Sequence, residues 1–182
     1  MTRRLDLSLL RGRLLVATPT LADPNFSHTV VLILDHDEEG SLGVVLNRPT
    51  PVELVTVLPE WHGLAASPGR VFVGGPVQPD GVLALAEGSG PSDELTVVRD
   101  GVGVLDLQAD PSQLLVSRVR VFAGYAGWGA GQIQAEIARG DWFVIDATPD
   151  DVFSDDPESL WTTVLRRQGG TFTTIPKDPT LN

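Results

Sequence analysis

The 182-residue chain contains no cysteine. Disulfide bonds, a nucleophilic thiol and zinc sites with thiolate ligands are therefore excluded together. Apolar runs are short as well: residues 29–34 have the length of a strand and fall far below the roughly 20 residues of a membrane-spanning helix. Near the N-terminus, Asp6, Arg11 and Gly12 interrupt any apolar stretch that would form the core of a signal peptide. We expect a cytoplasmic protein with no membrane span.

Basic residues are also scarce. The 13 lysines and arginines stand against 24 aspartates and glutamates, which gives a formal net charge of −11. A nucleic-acid-binding protein must place many cations on phosphates, whereas this acidic chain repels polyanions. Arg118 and Arg120, with Arg11 and Arg13, are the only candidates for a basic cluster. We therefore expect no direct binding to nucleic acid.

The composition that remains is that of an ordinary globular protein, with 42% apolar and 20% charged residues. A chain of this length buries a substantial core, so we expect one domain over residues 1–182. Short strand-like runs follow one another along the chain, and the polar turns at residues 35–40 and 98–102 join neighbouring runs as hairpins. This pattern predicts an α+β fold with a mixed, mainly antiparallel sheet.

Helix starts are indicated where proline follows a capping residue, a preferred arrangement for the first helical turn. The pattern occurs at Thr50-Pro51, Asp110-Pro111, Thr148-Pro149 and Asp156-Pro157. We expect the main helices to begin near Pro51, Gly131 and Pro157.

A glycine-rich and aromatic stretch, "YAGWGAGQIQAEIARGDW" at residues 125–142, stands out. We expect a strand over residues 114–122, a turn over 124–131 and a helix over 132–139. Free N–H groups at such a turn and helix start are suited to hold a carboxylate or phosphate. Alternatively, the glycines let Tyr125, Trp128 and Trp142 pack against the backbone. We favour packing over an anion site.

No metal site, cofactor site or catalytic residue is predicted. The three histidines are irregularly spaced, and the acidic segment that begins at Asp35 has Leu46 where a calcium loop needs its twelfth, bidentate carboxylate. A phosphate-binding P-loop is absent. After Gly127 and Gly129, the third glycine of a dinucleotide fingerprint is replaced by Gln132.

Several blocks occur together and in order: "GRLLVATPTLADPNFSHTVVLILDHDEEGSLGVVLNRP", "VFVGGPV", "FAGYAGWGAGQIQAEIARGDW" and the terminal "DPTLN". Together they resemble the YqgE/AlgH family. The resemblance implies a branched, mixed sheet that curls into a pseudo-barrel with surrounding helices, and it implies no particular reaction. The family pattern includes Gly40, Gly74, Gly75 and Gly124.

The resemblance and the polar pattern together give a set of candidate ligand-binding residues, although a turn, cap or buried hydrogen bond is the simpler role for each polar member. These residues are His36, Asn47, Arg48, Gly127, Gly129, Gly131, Gln132 and Glu136. The favoured function is a non-enzymatic module that binds an unknown protein or a small anionic ligand. The alternatives are a transcription-associated regulator that acts indirectly, as a label on the AlgH branch suggests, and an enzyme of unknown class.

Overall fold

The computed structural model describes residues 9–89 and 93–168. In this part of the chain ten strands form one sheet, accompanied by four short helices. The strands are β1 (Arg13–Ala17), β2 (Val30–Asp37), β3 (Gly40–Val45), β4 (Pro49–Glu53), β5 (Arg70–Val73), β6 (Val77–Gly88), β7 (Leu95–Arg99), β8 (Val102–Leu105), β9 (Val116–Gly129) and β10 (Trp142–Asp146). The helices are α1 (Leu54–Val57), α2 (Gln132–Arg139), α3 (Pro149–Val152) and α4 (Leu160–Gln168).

The sheet runs in the order β10-β1-β2-β3-β9-β6-β8-β7, with β4 and β5 as a branch. Nearly all neighbours are antiparallel, and the pairing of β5 with β9 is parallel. The hairpin β2–β3 turns at residues 38–39, and the hairpin β7–β8 turns at residues 100–101. The predicted α+β class, the mixed sheet and both hairpins are confirmed.

The sheet curls so that β7, at one end, approaches β1 and β10 at the other end. Beside β7, Arg11 donates from Nη2 to the carbonyl of Val97 at 3.1 Å. Asp146, at the end of β10, forms ion pairs with Arg13 at 3.2 Å and with Arg99 at 3.5 Å. These side-chain contacts link β7 to the other end of the sheet, although the backbones of β7 and β1 are not paired. The curled sheet confirms the predicted pseudo-barrel.

Strand β9 is the shared wall of three hydrophobic clusters. Before Gly124, Val119 and Val121 face one cluster while Phe122 faces the central one. After Gly124, Tyr125 faces the central cluster and Trp128 faces a third. Side chains alternate between the two faces of a regular strand, so Phe122 and Tyr125 would normally point to opposite faces. Gly124 interrupts the alternation with a left-handed φ of 74°, which allows both rings to face the central cluster.

The chain passes so closely at this point that side chains are excluded. A Cβ on Gly124 would lie 2.5 Å from the carbonyl oxygen of Gly75, and one on Gly74 would lie 2.3 Å from that of Gly124. Likewise, a Cβ on Gly40 would lie 2.3 Å from the carbonyl oxygen of Trp128. These glycines allow close approach between strands.

Two sequence predictions are wrong. Residues 124–129 are not a turn, because β9 continues to Gly129 and its last four residues pair with β3; the turn is confined to residues 130–131. No helix begins at Pro51, because residues 49–53 pair with β5 and the Thr50 hydroxyl donates to the carbonyl of Val71 at 2.7 Å. The helix there starts at Leu54.

The other helix starts are confirmed. Gly131 precedes α2, and Pro157 opens a 3₁₀ turn that leads into α4. Thr148 and Asp151 form a capping box at the start of α3, and Asp110 caps a short 3₁₀ turn through the amide of Ser112. In residues 9–89 and 93–168, none of the helices has the length and apolar composition needed to cross a membrane. The terminal "DPTLN" lies outside the described residues.

Candidate functional site

Two of the predicted ligand-binding residues, Asn47 and Arg48, hold the loop that precedes β2. Asn47 donates from Nδ2 to the carbonyl of His28 at 2.9 Å and accepts from the amide of Val30 at 3.0 Å. Arg48 donates to the carbonyls of Asn25, Pro24 and Ser27. Partial burial lowers the pKa of Arg48, and Asp23 opposes that shift. Both side chains therefore have internal partners that fix this loop.

The predicted residues of α2 also have internal partners. Gln132 accepts at Oε1 from the amide of Gly129 at 3.0 Å. This amide is therefore already hydrogen-bonded and is not free to bind an anion. Glu136 accepts from the indole N–H of Trp142 at 3.2 Å. Gly131 precedes the helix with a left-handed φ of 74°, which glycine adopts without the steric cost of a side chain.

Aromatic rings fill the space beneath α2. Phe26, Trp128 and Trp142 form a ring cluster with centroid separations of 5.7–6.2 Å, and Ile133 packs beside them. Trp128 and Trp142 are almost fully buried. This face of the glycine-rich stretch is therefore a packed interface.

The opposite face of the stretch borders an open hollow of about 460 Å³, lined by Gly127, Tyr125 and the acidic residues Asp35 and Asp37. Two carboxylates, with no lysine or arginine among the described residues of the lining, disfavour an anionic ligand at this hollow. His36 belongs to the other side of the sheet. It pairs with Ser41, which in turn pairs with Trp128, and the Nδ1 of His36 lies 2.6 Å from the Ser41 hydroxyl.

The predicted residues thus lie in two regions. Asn47 and Arg48 follow the end of β3, whereas Gly127, Gly129 and α2 lie at its beginning, where Gly40 pairs with Gly129. The strand between them spans roughly 20 Å at about 3.3 Å per residue. A small ligand would contact one region or the other. Their role in binding stays a prediction.

A larger concave surface, which the sequence analysis missed, lies on the branch of the sheet. We call it the valine groove; it has a volume of about 690 Å³. Its main residues are Val52, Val57, Leu58, Val71, Val82 and Val121. Val71 and Val121 come from adjacent strands, and Val57 and Leu58 come from the end of α1. Glu60 and Gln108 also line it, so most of the surface is aliphatic.

The groove exists because α1 is too short to cover the strands beside it. Only Leu54 of its four residues is buried, whereas Val57 is 49% exposed. On the two sides of the groove, Val52 is 45% exposed and Val82 is 58% exposed. One signal in the sequence indicates this surface: the segment "PVELVTVLPE" has more aliphatic residues than one helix face can bury.

Comparison with known proteins identifies the family. A family described as AlgH-like, DUF179, matches residues 14–173. The chain is 52% identical over 188 residues to a UPF0301 protein of Streptomyces coelicolor, with 97% of each chain covered. It is 46% identical over 198 residues to a UPF0301 protein of Thermobifida fusca, with 100% of each chain covered.

Two solved structures agree with this result. A crystal structure of a protein from Corynebacterium diphtheriae matches with a TM-score of 0.86 and 34% identity, covering 91% of this chain and 90% of that chain. The solution structure of the AlgH protein from Pseudomonas aeruginosa matches with a TM-score of 0.71 and 31% identity, covering 92% and 93%. The resemblance seen in the sequence is confirmed, and the chain belongs to the AlgH-like UPF0301 family.

Proposed function

We propose that this protein is a non-enzymatic binding module that takes up an aliphatic segment of a partner protein in the valine groove. The observation that carries the proposal is the open, aliphatic surface formed by residues of β4, β5, β6, β9 and α1. Apolar surface left in water costs free energy, and covering it on binding releases about 25 cal/mol per Å². Contiguous exposed aliphatic patches commonly mark interaction sites.

Charge at the groove favours a particular kind of partner. Glu60 lines it, Glu53 follows Val52 in the chain, and Asp106 precedes Leu107; all three acids are exposed. Arg70 is a basic residue on the same branch of the sheet. We therefore expect aliphatic side chains flanked by lysine or arginine in the partner, because complementary charge steers association and favours the correct partner.

A small apolar molecule is the second candidate occupant. The groove volume of about 690 Å³ lies within the range of ligand pockets, about 300–1,000 Å³. The partner protein is preferred because Val52, Val57 and Val82 are about half exposed, so they present apolar surface that a larger partner can cover.

A regulatory role fits this proposal without direct contact to DNA. Arg118 is paired with Glu87 and Asp150, and Arg13 is paired with Asp146. Arg120 is 2% exposed, and Arg11 donates to two backbone carbonyls. These arginines are buried or held by internal partners and do not form the extended basic surface that a DNA duplex needs, so a transcription-associated function would act through the protein partner.

The test places a photo-cross-linking amino acid in the groove of the full chain, at Val57 or at Val82, in cells that encode the protein. Val97 is the matched control position, because it has the same 49% exposure as Val57 but lies on β7. We expect both groove positions to cross-link one common protein that position 97 does not capture.

That protein is then purified and its affinity is measured against the parent chain, Val82→Asp and Val97→Asp. We expect Val82→Asp to weaken binding at least tenfold, because it places a charge in an apolar contact, while Val97→Asp binds like the parent. Equal affinity of the two variants, or identical cross-links from positions 57, 82 and 97, would overturn the proposal.

A further inference from the structure

A second hollow, distinct from the valine groove, lies where β9 meets the region around α3. It has a volume of about 450 Å³. We call it the arginine hollow, and its polar and aromatic lining consists of Ser67, Arg118, Asp150, Phe153, Ser154 and Asp155. Arg118 lies with its guanidinium 4.9 Å from the centre of the Phe153 ring. Arg120 lies behind the wall of the hollow, where it donates to the carbonyls of Ser67 and Val152.

The two arginines carry like charges on the same face of β9. Residues two apart on a strand point to the same side and are separated by roughly 7 Å along the backbone. Arg118 has two carboxylate partners, Glu87 at 3.0 Å and Asp150 at 2.8 Å. Arg120 has no carboxylate within 4 Å in the described part of the chain.

The buried positive charge of Arg120 is therefore stabilised by two carbonyl oxygens and one aromatic ring. Its guanidinium lies 4.3 Å from the centre of the Phe72 ring, and its Nε is buried without a hydrogen-bond partner. Burial, and secondarily the charge of Arg118, lower the pKa of Arg120 to about 10, whereas Asp155 opposes the shift. The group remains charged at neutral pH. A positive charge is thus fixed behind the wall of the hollow, next to Ser67.

The geometry points to a site for a small oxyanion, of the phosphate type, that binds Arg118 in place of Asp150 and is attracted by the buried charge of Arg120. Asp150 is suited to give way, because its side chain is 89% exposed, so water solvates its carboxylate after release. A doubly charged anion interacts more favourably with two neighbouring cations than a single carboxylate does. The hydroxyls of Ser67 and Ser154 line the same hollow and are suited to donate to the anion.

Asp150 and Asp155 also explain why such a site would be weak in the parent chain. Their carboxylates repel an approaching anion and compete for Arg118. Removing one competitor should strengthen binding. Because any freed arginine gains some affinity for phosphate, the gain at Arg118 has to exceed the gain at an arginine freed elsewhere on the surface.

The experiment is an NMR titration of the full chain with inorganic phosphate at constant ionic strength. Asp150→Asn is expected to bind phosphate about two- to fivefold more tightly than the parent, because an exposed ion pair is replaced by a neutral side chain. Arg118→Gln is expected to abolish the shifts of residues around the hollow. Acetate, with a single charge, is expected to bind more weakly than phosphate.

The matched control is Asp141→Asn, which frees the exposed Arg139 of α2 as Asp150→Asn frees Arg118. We expect it to change phosphate binding less than Asp150→Asn does, and thermal melts establish that each variant is folded. The proposal is overturned if Asp150→Asn binds no more tightly than the parent. It is also overturned if Asp141→Asn strengthens binding as much as Asp150→Asn does, because any freed arginine would then be sufficient.

Discussion

The two halves of β9 differ in how completely the apolar surface beside them is covered. After Gly124, the strand is covered by α2 and by the ring cluster of Phe26, Trp128 and Trp142. Before Gly124, Val121 forms part of the valine groove, which remains open although α1 lies beside it. One strand thus has a filled interface at one end and an unfilled concave surface at the other.

The difference follows from the length and composition of the covering element. Helix α2 has eight residues and lies over rings large enough to fill the gap below it. Helix α1 has four residues, and its valines are too small and too few to close the groove. Packing contributes to folding where the surface is filled, whereas the open surface remains available to a partner. Substitutions in the ring cluster should therefore affect stability, whereas substitutions of the exposed groove residues Val52, Val57 and Val82 should affect binding.

The largest expected effect is at the junction of the halves. Gly124→Ala places a side chain at a φ of 74° and brings its Cβ to 2.5 Å from the carbonyl oxygen of Gly75. Overpacking against backbone and a left-handed conformation both oppose folding, so we expect a loss of about 3 kcal/mol or more in the free energy of unfolding. Urea denaturation of the parent chain and of Gly124→Ala measures this loss. A loss below about 1 kcal/mol would show that β9 does not need this glycine to change faces.

A large difference is also expected between the two halves themselves. Trp128→Ala removes a ring from the filled half and should lower the free energy of unfolding by about 3–5 kcal/mol. Val82→Ala, on β6 beside the open half of β9, should change it by less than about 0.5 kcal/mol, because the side chain is 58% exposed. Parallel chemical denaturation of the two variants checks this pair. Similar losses would contradict the contrast between the filled ring cluster and the open groove.

The smallest effects concern the glycines of the glycine-rich stretch at residues 125–142. Gly131→Ala should cost about 1 kcal/mol, because the φ of 74° disfavours a side chain although no atom lies within 4 Å of its Cβ. In Gly127→Ala, the new Cβ meets Tyr125 and Val77 at 3.8 Å, an ordinary contact. We expect the melting temperature of Gly127→Ala to stay constant or rise slightly. A larger loss at Gly127 than at Gly131 would assign the packing role to the strand glycine.

Local signals in the sequence predicted much of the fold. Capping groups, proline and turn residues lie within a few positions of the elements that they specify. These elements are the two hairpins, the helix after Gly131 and the turn that begins at Pro157. The family was also evident from the order of its blocks. The predicted ligand-binding residues lie at opposite ends of β3 instead of converging, and their role in binding stays a prediction.

The sequence by itself determined the family, the α+β class and those elements whose partners are near in the chain. Tertiary structure decided the rest. Pairing with β3 made a strand of the glycine-rich stretch, and pairing with β5 made a strand of the residues around Pro51. The tertiary structure also buried Arg120 and left Val52, Val57 and Val82 exposed. The physical reason is that capping acts over one helical turn, whereas strand pairing and burial depend on residues far apart in sequence.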